Sequence, residues 1–215
     1  MGDNDSKLKR TAMADAGKTD YKTDILPAEQ SVLDCIRVAT YAHQIPTAVD
    51  MIKDAHDKGY ETCCNIMAIS TVADSEIDQA LETLAETPVE TIVVVDSYGS
   101  LYHEQIRTLV KKYVAMANAT GKEVGIHTHN NMQLAFANTI EALIQGANRI
   151  DATMHGPARG AGNCPLELPL GVLKNPNFNL RPTFKLLPDH LIPLRPTKDL
   201  GALIPYGVTG LLHRH

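Results

Sequence analysis

His127 and His129 are the residues whose type and spacing promise chemistry. They close the run Glu123-Val124-Gly125-Ile126-His127-Thr128-His129. Read as a β-strand, this run alternates its side chains, with Val124, Ile126 and Thr128 on one face and Gly125, His127 and His129 on the other. Two imidazoles in adjacent pleats can reach one metal ion, for which neutral imidazole is a common ligand. In isolation a His-x-His pair is more often a hydrogen-bonded core feature, or one of its rings faces solvent. A place at the C-terminal end of a strand, followed by Asn130 and Asn131, favours the metal site.

A second candidate is the glycine-rich stretch His155-Gly156-Pro157-Ala158-Arg159-Gly160-Ala161-Gly162-Asn163-Cys164-Pro165-Leu166-Glu167. Gly160 and Gly162 have the spacing of a dinucleotide loop, but Pro165 stands where the third glycine belongs, so that fingerprint fails. The loop could equally cradle an anionic group at a helix N-terminus. Asn163, just before Pro165, is also a good N-cap for a following helix. Asp96, in Asp96-Ser97-Tyr98-Gly99, has two readings of equal weight. It is a partner orienting a histidine from behind, or a cap for the helix that follows.

The elements that must position these residues recur along the chain. Six β-type runs begin near Leu8, Asp34, Glu61, Thr91, Glu123 and Ile150, at intervals of 26 to 32 residues. Each interval suits one strand, one helix and two short loops. The run Ile92-Val93-Val94-Val95 is apolar on both faces, as a strand covered on both sides must be. Ile77, Ala80, Leu81, Leu84 and Ala85 form one helical stripe. Ile106, Leu109, Val110, Tyr113, Val114 and Ala117 form another, with Gly121 as its C-terminal stop. Pro46 suits the first turn of a helix ending before Gly59, whereas residues 17–33 carry no strong helical pattern. Alternating strands and helices imply a parallel sheet, open or closed into a barrel. A closed barrel needs eight such units, and the sequence supplies six.

Composition narrows the function classes. The chain has 215 residues, a formal net charge of −5 and no cluster of Lys and Arg, which argues against a nucleic-acid partner. No stretch approaches a membrane span, and residues 1–6 lack the pattern of a secretion signal. Cys35, Cys63, Cys64 and Cys164 include no CxxC pair, so reduced thiols in a cytoplasmic protein are expected.

Taken together, Arg37-Val38-Ala39-Thr40, Asp96-Ser97-Tyr98-Gly99, Gly125-Ile126-His127-Thr128-His129-Asn130-Asn131 and Gly160-Ala161-Gly162-Asn163-Cys164-Pro165-Leu166-Glu167 resemble the DRE-TIM metallolyases. That family contains 4-hydroxy-2-oxovalerate aldolase, hydroxymethylglutaryl-CoA lyase and the isopropylmalate and homocitrate synthases. The resemblance covers roughly residues 8–175 and is strongest to bacterial aldolase catalytic-domain proteins. It implies a TIM-type (β/α)8 barrel, here incomplete with six units, over residues 1–175, and a proline-rich extension over 176–215. It also implies that His127, His129 and Asn163 hold Mn²⁺ or Mg²⁺, with Asp96 and Asn130 contacting substrate or supporting the ligands. The ion would grip the 2-oxo and carboxylate oxygens of a small pyruvate-like acid and stabilise the enolate formed when a neighbouring C–C bond breaks. The implied reaction is the cleavage of a 4-hydroxy-2-oxo acid to pyruvate and an aldehyde.

The pattern is not complete. The family draws a metal-binding aspartate and a catalytic arginine from a DxxxRDG segment on its first strand, and the sequence has no such segment. Met13-Ala14-Asp15-Ala16-Gly17 is similar to the family's third strand, so the first two β/α units are expected to be missing. Two imidazoles and an amide are a poor set for a hard cation that prefers oxygen. Open barrel edges invite pairing with a second copy or with a complementing N-terminal fragment. Nine of the twelve prolines lie at or after Pro157. Pro169 and Pro188 are expected to break helices, as is Pro196, while residues 205–210 resemble a C-terminal element of the family. Two other functions stay open, a 2-oxo-acid acyltransferase of the isopropylmalate synthase type and an inactive barrel fragment with residual metal binding.

Overall fold

A computed structural model describes residues 8–173, 179–194 and 204–214. All six expected strands are present: β1 (Thr11–Asp15), β2 (Cys35–Thr40), β3 (Glu61–Ile66), β4 (Thr91–Asp96), β5 (Glu123–Thr128) and β6 (Arg149–Asp151). They follow one another in sheet order β1-β2-β3-β4-β5-β6. The first begins at Thr11 rather than near Leu8.

The chain divides into two compact units, residues 1–94 with 112–124, and 95–111 with 125–215. In the first unit β1 pairs β2, β2 pairs β3 and β3 pairs β4, all parallel. Parallel neighbours require a crossover between them. The first crossover, between β1 and β2, holds only a four-residue helix α1 (Tyr21–Asp24) and a 3-10 turn (Ala28–Gln30), in keeping with the weak pattern of residues 17–33. The next are full helices, α2 (Ile45–Asp57) and α3 (Asp74–Ala85). Pro46 lies in the first turn of α2, where its missing N–H costs nothing. Gly59 follows that helix at φ +92°.

The helix α4 (His103–Thr120) carries the second stripe, and Ile106, Val110, Tyr113 and Ala117 are buried along it. Gly121 ends it at φ +69°. Cys63 and Cys64 point to opposite faces of β3 and are both buried, because helices in this architecture cover one face and neighbouring strands' side chains fill the other. All four cysteines are buried without a disulfide. Burial pushes the Cys35 thiol up to about 11 and the Cys64 thiol higher still.

In the second unit β5 and β6 are parallel, with His127 opposite Asp151. The helix α5 (Ala135–Ile144) follows β5. After β6 come α6 (Glu167–Val172), α7 (Arg181–Leu186) and α8 (Ile204–Leu211). Two proline expectations change. Pro169 is the third residue of α6, inside the first turn where backbone N–H groups have no helical partner, so it breaks nothing. Pro188 sits near the start of a wide π turn, Leu187–Leu191, that continues α7 into a 3-10 turn, Ile192–Leu194. Pro196 lies outside the described residues. No described helix is long and apolar enough to cross a membrane.

Leu84 is fully buried on α3. Leu84→Ala should therefore lower unfolding free energy by about 2–5 kcal/mol, read from urea denaturation.

Candidate metal centre

The residues singled out at the end of β5 lie in one unit with Asp96 and the glycine-rich loop. The expected facing of β5 holds: Val124, Ile126 and Thr128 are buried. The Thr128 hydroxyl lies 2.9 Å from that of Thr139 and donates to the Ala135 carbonyl at 3.0 Å. This locks the strand end onto α5. On the other face the rings of His127 and His129 stand with centroids 5.1 Å apart at 62°.

A partner for His127 comes from the neighbouring strand. Its Nδ1 lies 3.1 Å from Asp151 Oδ2, as the register opposite Asp151 dictates. The carboxylate accepts, so Nδ1 carries the proton and the Nε2 lone pair is left for a ligand; metal-binding histidines are commonly oriented this way. Asp151 was not among the sequence candidates. The available signal was an acidic residue on the next strand, in Ile150-Asp151-Ala152, whose significance depends on strand register.

The glycine loop after β6 folds back onto the end of β5. Asn130 N donates to Gly162 O at 2.7 Å and Cys164 N to Thr128 O at 3.2 Å, with an antiparallel bridge between His129 and Asn163. The loop is tied to itself by Asn163 N to Gly156 O at 2.9 Å and Thr153 N to Cys164 O at 3.1 Å. Gly162 must be glycine. Its φ is +98°, and a Cβ there would stand 2.1 Å from Gly156 O.

This fold-back sets Asn163 beside His129. Asn163 does not cap a helix, since α6 starts later, behind Leu166. Its Oδ1 is buried and has no hydrogen-bond partner among the described residues. A buried unpaired amide oxygen is costly, and amide oxygen is a natural donor for a hard cation, so the residues present fit a divalent ion. Among the described residues, no three His, Cys, Asp or Glu side chains group to hold one. The candidate donors are therefore two imidazoles and one amide, a set short of the oxygen ligands a hard cation prefers.

Asp96 is completely buried. Its carboxylate accepts from Ser100 N at 3.1 Å and Leu101 N at 3.3 Å, bonds that hold the loop leading to α4. Its backbone carbonyl accepts from His129 N at 3.2 Å, so its main chain supports the histidine strand. Burial pushes its carboxyl up to about 6 against the pull of these backbone donors. Asn130 Oδ1 accepts from Ala135 N at 3.2 Å at the start of α5, and the residue also lines a cavity beside the loop. The C-terminal helix α8 braces the same loops. Gly210 packs on Asn131 Cβ and Tyr98 O, and His213 Nδ1 lies 3.1 Å from Ser100 Oγ. Sequence reasoning found no role for His213; the spacing of Gly207 and Gly210 was the only trace of this close approach.

Residues 8–179 match the family model described as HMGL-like. This chain belongs to the HMGL-like family. It is 32% identical over 151 residues to 4-hydroxy-2-oxovalerate aldolase 2 of Mycolicibacterium smegmatis, covering 70% of this chain and 43% of that protein. It is 30% identical over 145 residues to the 4-hydroxy-2-oxovalerate aldolase of Bacillus thuringiensis, covering 67% and 42%. The chain thus spans less than half the length of these relatives. Among solved structures, the N-terminal domain of a proposed aldolase from Bacteroides vulgatus aligns with a TM-score of 0.86 at 26% identity, over 97% of this chain and 70% of that one. The HMG-CoA lyase of Bacillus subtilis aligns at 0.64 and 16% identity over 82% and 67%, a likeness of fold. These matches put the HMGL-like chain among the DRE-TIM metallolyases, with six parallel β/α units of a TIM-type barrel.

Two outcomes are expected from this geometry. Folded Asp96 takes up its proton near pH 6, well above the usual carboxylate value of about 3.9. The stability this contributes is full below about pH 4 and lost as pH rises through about 6, a change of order 2–3 kcal/mol. Unfolding measured from pH 4 to 7 should show that slope in the wild type and lose it in Asp96→Asn. Gly162→Ala should cost at least about 1–2 kcal/mol, read by thermal melts, because a Cβ there meets Gly156 O.

Proposed function

We propose that this chain is the ligand-bearing part of a divalent-metal-dependent aldolase that cleaves a 4-hydroxy-2-oxo acid to pyruvate and an aldehyde. The observation that carries the reading is Asn163 Oδ1, buried and unpartnered, delivered by a backbone bridge to His129 and so to the paired imidazoles. The kinship with 4-hydroxy-2-oxovalerate aldolases supports the substrate class.

In this reading His127, His129 and Asn163 hold the ion, either Mn²⁺ or Mg²⁺. A bound cation of this kind supplies Lewis acidity toward the 2-oxo and carboxylate oxygens of the substrate. Asp151 keeps the His127 ring in the tautomer and orientation that ligation needs. Asp96 anchors the backbone beneath His129 through its own carbonyl. Asn130, among the residues lining the adjoining cavity, contacts substrate in this reading.

The carboxylate and arginine that the DxxxRDG segment brings to the family have no counterpart in this sequence. Full activity accordingly requires those groups from outside these residues, in a longer chain or in a complementing fragment. By itself the chain binds the ion weakly. That weak binding also favours a second reading, a fragment that holds metal without turnover.

Calorimetric titration with Mn²⁺ tests the ligand set without any need for turnover. One site is expected, abolished in the His127→Ala, His129→Ala double variant and weakened about 10- to 100-fold in Asp151→Asn. Unchanged binding in the double variant would sink the assignment. Pyruvate release from 4-hydroxy-2-oxovalerate, followed with and without chelator, then tests the reaction. Release by this chain alone refutes the need for a complementing segment. Metal binding with no release, even when a DxxxRDG-bearing fragment is added, leaves only the fragment reading.

A further inference from the structure

A cavity of about 450 Å³ lies beside the candidate metal centre, lined by polar and apolar residues. Its polar lining includes Asn163 and His155. His155 Nε2 is shielded from solvent and has no hydrogen-bond partner among the described residues. The backbone at His155 is held at φ +63°, a conformation that non-glycine residues seldom adopt and that concentrates at binding sites. It is kept there by Glu167, whose Oε1 accepts from His155 N at 2.7 Å. Its apolar lining includes Phe184, Leu187, Leu191 and Leu194, one stripe along α7 and the two turns that continue it. Phe184 and Leu194 are about half exposed. One cavity is thus lined by both an apolar stripe and a polar pair.

The volume falls within the range of small-molecule sites. At most about a water's share of volume, roughly 30 Å³, for each of its nine non-hydrogen atoms brings 4-hydroxy-2-oxovalerate to about 270 Å³. Space for several more carbons remains in a cavity whose lining includes the leucine stripe.

We infer that this site takes 4-hydroxy-2-oxo acids whose chain beyond C4 is longer than methyl and apolar. The tail lies along Phe184, Leu187, Leu191 and Leu194, and His155 Nε2 accepts a hydrogen bond from the C4 hydroxyl. The inference rests on the aldolase reading for the head group, yet the tail is tested separately. The probes are straight-chain 2-oxo acids from 2-oxopentanoate to 2-oxooctanoate, which cannot be cleaved. They are titrated calorimetrically into the full chain with Mn²⁺.

Affinity is expected to rise roughly fourfold per added methylene and to flatten in a Phe184→Ala, Leu191→Ala variant. Both residues lie outside the metal ligands, so Mn²⁺ binding stays as in the wild type. His155→Asn tolerates the positive φ but is too short to reach the hydroxyl. It should weaken 4-hydroxy-2-oxo acids about three- to tenfold while leaving the 2-oxo acids unchanged. A chain-length gradient that is absent in the wild type, or that survives in the double variant, overturns the inference. A clear gradient with no pyruvate release even after a DxxxRDG-bearing fragment is added defeats the aldolase reading and upholds the tail site, whereas release with a flat gradient does the reverse.

Discussion

The centre depends on how a glycine loop is hydrogen-bonded to the end of one strand. Two backbone bonds, Asn130 to Gly162 and Cys164 to Thr128, pull the chain after β6 back over the end of β5. Asn163 is thereby held against His129. The bonds are possible only because the loop can turn sharply enough. Gly156, Gly160 and Gly162 all have positive φ, and at Gly162 any side chain would collide with a carbonyl oxygen. Backbone geometry thus comes before side-chain chemistry: the amide stays beside His129 because the main chain has no freedom to carry it elsewhere.

A second layer of constraint surrounds the first. Asp96 secures the start of the α4 loop with its carboxylate and the histidine strand with its carbonyl. Asp151 sets the His127 ring from the neighbouring strand. Gly99 sits at φ +56°, where a Cβ would come within 2.8 Å of His129 and Asn131 backbone atoms. From the far end of the sequence, α8 lays its glycines on Asn131 and Tyr98. Strand ends are where such barrels build their sites, and here the ends are held by buried polar contacts rather than by apolar packing. The energetic balance follows from that choice. Buried polar groups are normally satisfied, and Asn163 Oδ1 and His155 Nε2, on residues that line one cavity, are two of the exceptions among the described residues.

Much of this was readable from residue order. The strands showed in β-type runs at a regular interval, because a buried parallel strand needs an apolar run and a crossover helix needs a 3.6-residue stripe. The facing of His127 and His129 followed from the two-residue period of a pleated strand. The loop sequence around Asn163 pointed to the family, and the family to a metal. The weak pattern over residues 17–33 was accurate too: too few apolar positions recur there to sustain more than α1 and a 3-10 turn.

Other features were decided only in three dimensions, and each for a physical reason. Asp151 matters through its register opposite His127, which no local pattern encodes. Asn163 looked like a helix cap by its nearness to Pro165; hydrogen bonding across the loop moved the helix start beyond it and left the amide unpaired. Pro169 looked like a helix breaker, yet the helix begins late enough for it to fall in the first turn. His213 and Ser100 meet across 113 residues of chain. Sequence alone determined the periodic elements and the local facing of their side chains, since both are short-range consequences of backbone geometry. Tertiary structure decided which polar atoms share a space, because that depends on loop closure and strand register between residues far apart.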